Sequence, residues 1–420
     1  MLVQVNELVC VCPTFSFTRL LVYSSTINLS TFLNMSKSES TNKSPNKNAK
    51  KGFVGTVAAF VRRIGLTIAV IAVLCLLCSV GSIYVSPLRC SFLGLLGLVF
   101  PLFWGINFLI LLVLLPFSRR IAMIPFFGLI ITASHALDYC PINLPSPTPK
   151  QSIKVMTYNT HGFGCFGNGN KMNDNKGRNK IALFMAEHNP DIIAYQEGIQ
   201  NWTLNKSVLP VLKKKDLYHD NISKDGMSVG CFSRFPIVGK EVLAFNDAER
   251  AAVFKLTPSN NDTIFLVVVH LQSMGLDNTD RNNFHHNIGY LKDEHEDLKL
   301  RSMVGIMKKI AAASVPRAKQ AQGVAEFLKA HPNDKVIVCG DFNETPISYP
   351  YQKIINAAPL SDAFVESGNG FGRSYNKNGL FVRIDHIMYN HNHWKSHATK
   401  VMSNVPLSDH YPVITHLTEE

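Results

Sequence analysis

Six short segments of the chain each set acids, amides or histidines just past an apolar run. Val-Met-Thr-Tyr-Asn-Thr-His brings Asn159, and Asp-Ile-Ile-Ala-Tyr-Gln-Glu-Gly brings Glu197. Val-Val-Val-His-Leu-Gln-Ser brings His270, and Val-Ile-Val-Cys-Gly-Asp-Phe-Asn brings Asp341 and Asn343. Arg-Ile-Asp-His-Ile brings Asp385, and Leu-Ser-Asp-His-Tyr-Pro-Val brings Asp409 and His410. One acid beyond a strand is an ordinary turn former; six such segments in one chain are not explained by turns. Hydrolysis of a phosphate ester needs an activated water, a neutralised phosphoryl group and a stabilised leaving oxygen. Mg²⁺, or Mn²⁺ in its place, prefers carboxylate and water oxygens, which makes Glu197 the expected ligand, with Asn159 and Asp409 beside it. His410 is the candidate general base or electrostatic partner of the phosphate, and Asp385 the carboxylate that orients it. Asp341 aligns the water or serves the leaving group; which of Asp341 and His410 takes the proton stays open. Asn343 and His270 are expected to hydrogen-bond phosphate oxygens. His161 and His386 adjoin these motifs without a role of their own. Arg250 and Arg317 read as surface arginines, and Cys231 and Cys339 as inert core thiols.

The order of the segments, with Gly-Asp-Phe-Asn, Ser-Asp-His-Tyr-Pro-Val and the Ser-Arg-Phe-Pro-Ile at residues 233–237, resembles the endonuclease/exonuclease/phosphatase superfamily. That superfamily includes secreted deoxyribonucleases, abasic-site endonucleases, neutral sphingomyelinases and inositol-polyphosphate phosphatases. The resemblance covers about residues 153–417. It implies a four-layered α/β sandwich with two central mixed sheets and a divalent-metal phosphodiesterase site at one edge. It does not choose among nucleic acids, phospholipids and sugar phosphates.

The elements that must position these residues are legible as short apolar runs at 153–158, 192–195, 229–232, 252–256, 264–269, 335–338 and 384–388, which predict strands. Helical patterns fall at 180–188 and 318–330. Strands alternating with helices predict an α/β layered fold. The long segment 271–316, rich in Asn, His, Asp and Lys, follows a site residue directly and is expected to form one wall of the cleft.

Over 420 residues, 46% are hydrophobic and 17% charged. The chain has ample apolar matter to bury, which excludes general disorder, and nine cysteines are too sparse for a disulfide scaffold. Of the net +12, only +4 belongs to the part from Lys150 onward, so a general duplex-binding surface is not demanded. Residues 1–34 read as an upstream artefact or a disordered stretch, with translation beginning at Met35, and 35–64 as a basic cytoplasmic tail. Uncharged runs at 65–85, 91–117 and 121–137 predict three transmembrane helices within 65–137. The Lys/Arg distribution then places the following chain outside the cytoplasm. Residues 138–152 read as a Pro-rich spacer that holds a catalytic domain, 153–418, off the bilayer. Cys90 and Cys140 would emerge on one side of the membrane, where a disulfide is allowed. The plan resembles bacterial membrane-anchored members of the superfamily.

The expected function is a membrane-anchored, multi-pass, Mg²⁺-dependent phosphoesterase with an extracytoplasmic catalytic domain acting on phosphate mono- or diesters, lipid-linked ones included. The alternatives are a membrane-anchored nuclease acting on nucleic acid and a non-catalytic membrane-held binding module. The partners implied are the phosphate ester and the lipid bilayer; no protein partner is inferable.

Overall fold

The computed structural model describes residues 47–165, 172–199, 204–224, 227–243, 251–259, 262–276, 296–377 and 382–420. The chain divides into two compact units, Met1–Arg63 and Ile64–Glu420. Arg250 and residues 277–295 of the 271–316 segment lie outside the described residues, and 296–316 are helical.

The first helix, α1 (Lys47–Gly81), contains the apolar stretch that continues to Tyr84. The second apolar run does not form one helix. It breaks ahead of Pro101 into α2 (Leu93–Leu98) and α3 (Phe100–Leu114). The third run also breaks, into α4 (Arg119–Ile131) and α5 (Ala133–Tyr139), which bend by 53°. At that break Thr132 turns its hydroxyl back onto the Gly128 carbonyl (2.8 Å). These breaks overturn the three-span, multi-pass localisation. Among the described residues only Ala58–Tyr84 is long and apolar enough to cross a membrane, or two spans if the bent pair counts as one. The fifteen residues of α3, at about 1.5 Å each, extend about 22 Å, short of a hydrocarbon core of about 30 Å. The extracytoplasmic placement rested on that count and goes with it. Cys90 and Cys140, whose pairing the sequence left open, are free thiols.

Two six-stranded sheets hold the remaining chain. The first runs β11 (Trp394–Val401), β12 (Val413–Glu419), β1 (Ile153–Asn159), β2 (Ile192–Ile199), β4 (Met227–Ser233), β3 (Tyr218–Lys224). The second runs β5 (Ile237–Leu243), β6 (Ala251–Ser259), β7 (Asp262–His270), β8 (Lys335–Asp341), β10 (Asp385–Asn390), β9 (Leu360–Asp362). The pairs β1–β2 and β7–β8 are parallel, and the other pairings are antiparallel. Both sheets are therefore mixed.

The sheets pack face to face through Val155, Ala194 and Val229 on one side and Phe254, Val268, Ile337 and Ile387 on the other. The outer face of the first sheet is covered by α6 (Lys180–His188) and α7 (Leu209–Lys213), through Ile181, Met185 and Leu212. The outer face of the second is covered by α8 (Glu296–Ala330) and α9 (Tyr349–Ile355), through Val324, Leu328 and Ile354. A short α10 (Ala363–Ser367) follows β9. Central strands are thus buried on both faces, which is why β7 reads as the unbroken run Leu-Val-Val-Val rather than an alternation. The helix α6 starts where Asn179 accepts hydrogen bonds from the Ile181 and Ala182 amides, a side-chain cap on orphan N–H groups.

The 138–152 segment does not stand the domain off. Asn143 donates from its side-chain Nδ2 to the carbonyls of Val365 and Gly368 and from its backbone amide to Asn369 Oδ1 (2.7–2.8 Å), so the segment lies along the two-sheet domain.

The parallel pair β7–β8 depends on one glycine. Gly340 has φ +147° and sits opposite Val269, and a Cβ there would lie 1.8 Å from the Val269 carbonyl oxygen. Gly340→Ala should destabilise the fold by about 3–6 kcal/mol, the sum of backbone strain and steric displacement. Gly275→Ala, with φ +67° and nothing within 4 Å, should cost only about 1 kcal/mol. Thermal midpoints of the two purified variants check the contrast; equal midpoints would contradict it.

Candidate active site

The site is built on one rung of the second sheet. His270, Asp341 and Asp385 are register partners across β7, β8 and β10. All three stand at the ends of their strands and point to one edge. The first sheet contributes Asn159 from the end of β1 and Glu197 from a bulge in β2, where pairing with β4 shifts between Tyr195 and Gly198. Glu197 (φ +52°), Asn343 (φ +50°) and His161 (φ +46°) all adopt the left-handed region. Such strain in non-glycine residues clusters at functional sites.

A hydrogen bond joins the sheets at this edge. The Asn159 Nδ2 donates to Asp341 Oδ2 (3.0 Å) and to Glu197 Oε1 (3.1 Å), while its Oδ1 accepts from the His161 amide (3.2 Å). Asn159 therefore turns its amide nitrogen, not its oxygen, toward the two carboxylates. The Nε2 of His270 lies 3.5 Å from Glu197 and 3.8 Å from Asp341. The other Asp341 oxygen accepts from the Asn343 amide (2.8 Å), and Asn343 Nδ2 donates to the Leu271 carbonyl (3.1 Å).

His410 arrives on the loop after β11. Its Nδ1 donates to Asp385 Oδ2 (2.8 Å), which directs Nε2 at Asp341 Oδ2, 3.6 Å away. Ser408 anchors that loop by donating to the Asn159 carbonyl (2.8 Å). Asp409 borders the mouth, 3.8 Å from His161 Nδ1. The structure thus brings Asn159, Glu197, His270, Asp341, Asn343, Asp385, Asp409 and His410 to one cleft.

Burial governs the charges. It pushes the Asp341 carboxyl up to about 7, against the opposing pull of His410. Burial by itself would lower His410, but Asp385 and Asp341 more than reverse this and raise it to about 10. The second oxygen of Asp385 is buried without a hydrogen-bond partner.

Asp341, Asp385 and His410 bring one ligand atom each within 4.8 Å of one another, a candidate divalent-metal site. Within it the Asp385–His410 bond already occupies one atom of each. Glu197, which sits at the partly open mouth, and Asp341 supply further oxygen donors, which suit a hard cation.

The match to the endonuclease/exonuclease/phosphatase family spans residues 156–410. The chain belongs to this family. It is a metal-dependent hydrolase acting on phosphate ester bonds. A second match, to a domain of unknown function, spans residues 62–139. No curated protein matches the chain. Among solved structures, the chain is similar to truncated TDP2 of Caenorhabditis elegans (15% identity, 63% of this chain and 97% of that one, TM-score 0.40). It is similar to the human Nocturnin catalytic domain with bound sulfate (15% identity, 66% and 96%, TM-score 0.44). It is also similar to the Neisseria 3′ phosphatase NExo bound to a product DNA hairpin (14% identity, 63% and 98%, TM-score 0.43).

Several residues of this family member were misjudged from sequence or carried no signal. Arg317 is not a surface arginine; it is buried, with Nε on Glu344 (2.7 Å) and Nη1 on the Gln272 carbonyl (3.0 Å). His386 is buried between Asp362 (3.0 Å) and the Glu344 carbonyl (3.0 Å), a latch beneath the loop after β8. Ser374 accepts from the Ile384 and Asp385 amides, and Tyr375 sets its ring edge on His410 with centroids 5.1 Å apart. No motif in the sequence marks Ser374 or Tyr375. Cys231 and Cys339 are buried in the core, as expected, and burial pushes both thiols up.

Because Asp341 and His410 are both raised above their unfolded values, the folded chain holds more protons than the unfolded one between about pH 4 and 10. Stability from these groups is full at low pH and falls as pH rises through that interval. In chelator-treated protein, Asp341→Asn removes the Asp341 share. The fall in thermal midpoint from about pH 5 to about pH 8 should then be smaller than in the parent. An unchanged fall would contradict the assignment.

Proposed function

We propose that the chain is a Mg²⁺-dependent phosphoesterase that hydrolyses phosphate esters of nucleic acid, with His410 and Asp385 as its proton-handling pair. The observation that carries this reading is the Asp385–His410–Asp341 chain at the joint edge of the two sheets, opening to a polar mouth. Among the described residues, the part-exposed side chains there include His161, Glu197 and Asp409, all polar. Such a mouth suits a hydrophilic phosphate backbone better than a lipid tail.

Glu197 and Asp341, with Asp409 from the rim, are the oxygens that would hold Mg²⁺; Asn159, by its present orientation, steadies Glu197 and Asp341 instead. When bound, the ion supplies Lewis-acid neutralisation of phosphate charge. Asp385 fixes the tautomer of His410 so that Nε2 faces the reacting centre. Protonated His410 opposes the negative charge of the phosphoryl group, a positioned counter-charge in a water-poor pocket. His270 and the Asn343 amide group are within the same cleft to meet phosphate oxygens.

A second reading, a lipid-linked phosphate ester at a membrane, is favoured by one observation. The helix Ala58–Tyr84 is strongly apolar and its most hydropathic window is only 17% buried. It supports a single-helix anchor for this enzyme, whichever ester it cleaves.

His410→Ala and Asp385→Asn should each lower turnover by about 10²–10⁴-fold while the protein stays folded. Glu197→Gln should raise the Mg²⁺ concentration needed for half-maximal rate and lower the maximum. The assay uses the full chain in detergent with Mg²⁺ and compares single-stranded DNA, duplex DNA, RNA, sphingomyelin and a polyprenyl pyrophosphate. Preferred turnover of a nucleic acid is the expected result; preferred turnover of a lipid substrate would replace the first reading with the second. Near-parental turnover by His410→Ala would sink both.

A further inference from the structure

The six-residue helix α2 lies outside the catalytic match at 156–410, yet it touches all three loops that carry the second sheet's half of the site. Beside the loop after β7, Gly94, Leu95 and Leu98 line a cavity of about 20 Å³ together with Met274, Arg317 and Glu344. That space holds at most one water, so the contact is close-packed. Against the loop after β8, Gly97 approaches so closely that a Cβ on it would lie 2.0 Å from the Ile347 carbonyl oxygen and 2.8 Å from Ser82 Oγ. Ile347 itself is buried among Leu76, Phe100, Leu129 and Tyr139 of the surrounding helices. Ahead of β10, Leu98 packs on the cluster of Tyr375, Val382 and Ile384. Tyr375 in turn holds His410 edge-on, and its backbone bridges to His410.

A second tether runs through Arg383, two residues before Asp385. Its buried guanidinium donates to the Asp138 carbonyl at the end of α5 (2.6 Å) and lies 4.5 Å from the Phe364 ring centroid. The helices between residues 76 and 139 are therefore built into the back of the active site rather than appended to it.

We infer that the segment 62–139 positions the catalytic groups, with Leu98 and Gly97 acting as positioning residues through Tyr375 and Ile347. Leu98 presses the Tyr375 ring toward His410, and the bare backbone of Gly97 sets how deeply α2 seats on the loop that follows Asp341–Asn343. This inference rests on the reading of His410 and Asp341 as reacting groups. A misplacement of about 1 Å at such groups costs up to about 100-fold in rate, so loss of the wedge should appear in kcat rather than in folding.

The test uses the full chain in detergent with Mg²⁺ and bis(p-nitrophenyl) phosphate, which any phosphodiesterase reading admits. The variants are Leu98→Ala, Leu98→Met, Tyr375→Ala, Gly97→Ala and, as a control on an exposed helical face, Phe108→Ala. Leu98→Ala and Tyr375→Ala should each lower kcat by about 10- to 100-fold with KM nearly unchanged. Leu98→Met should restore most of the rate, and Phe108→Ala should match the parent. The double variant of Leu98 and Tyr375 should be no slower than the worse single one, because both act through one contact. If Gly97→Ala does not fold, Leu98→Ala still decides the matter. Parental kcat in folded Leu98→Ala and Tyr375→Ala, with His410→Ala inactive, overturns the inference alone. Near-parental kcat in His410→Ala overturns the functional reading beneath it.

Discussion

The hydrogen bond from Asn159 to Asp341 is the constraint on which the site depends. It is the point at which the two sheets meet at their catalytic edge, and it ties the ends of β1 and β8 together. A carboxylate that is fully buried has a high solvation cost. Asp341 meets that cost through Asn159, through the Asn343 amide and through His410 across the gap. Asn159 and His410 come from the first sheet and its β11–β12 loop, while Asn343 follows β8 and is held by the Leu271 carbonyl. Ser408 donates to the Asn159 carbonyl, and Asp385 fixes His410. Removing any one leaves a buried charge short of partners, so the network proposed to perform the chemistry also joins the sheets.

Most of the proposed site residues are legible because they sit at or near the end of a strand buried on both faces. Such strands are apolar until they reach the edge, and the sudden change to Asn159, Glu197, His270, Asp341 or Asp385 is visible in the sequence. The same rule explains the edge strands that were not legible. β3 reads Tyr-His-Asp-Asn-Ile-Ser-Lys and lies at a sheet edge, where solvent on one side removes the demand for apolar residues. β5, β9 and β11 are edge strands too, and none was marked by an apolar run. Tyr375 and Ser374 carry no signal in the sequence, and the buried roles of Arg317 and His386 are not legible there, for another reason. Their roles come from partners remote in sequence, such as Glu344 for Arg317 and Asp362 for His386, and no local pattern reports a remote partner.

The helical segment shows the limit of composition most plainly. Three uncharged runs looked like three spans, but apolar composition does not distinguish a helix in lipid from one packed on protein. Leu76, Phe100, Leu129 and Tyr139 are buried against one another and against Ile347 of the catalytic domain. Pro101 and the turn at Thr132 divide what hydropathy alone would join. The absence of charge in α2 serves contact with the loops of the site.

In the proposed arrangement Asp385 and His410 handle the proton while the metal is held by the carboxylates facing them. Crystals grown with Mn²⁺ and measured at its absorption edge decide this directly, because the anomalous peak marks the ion. The account predicts a peak bound by oxygens of Glu197 and Asp341, with the Asp385–His410 hydrogen bond intact. A peak ligated by a ring nitrogen of His410 and by Asp385 would contradict it.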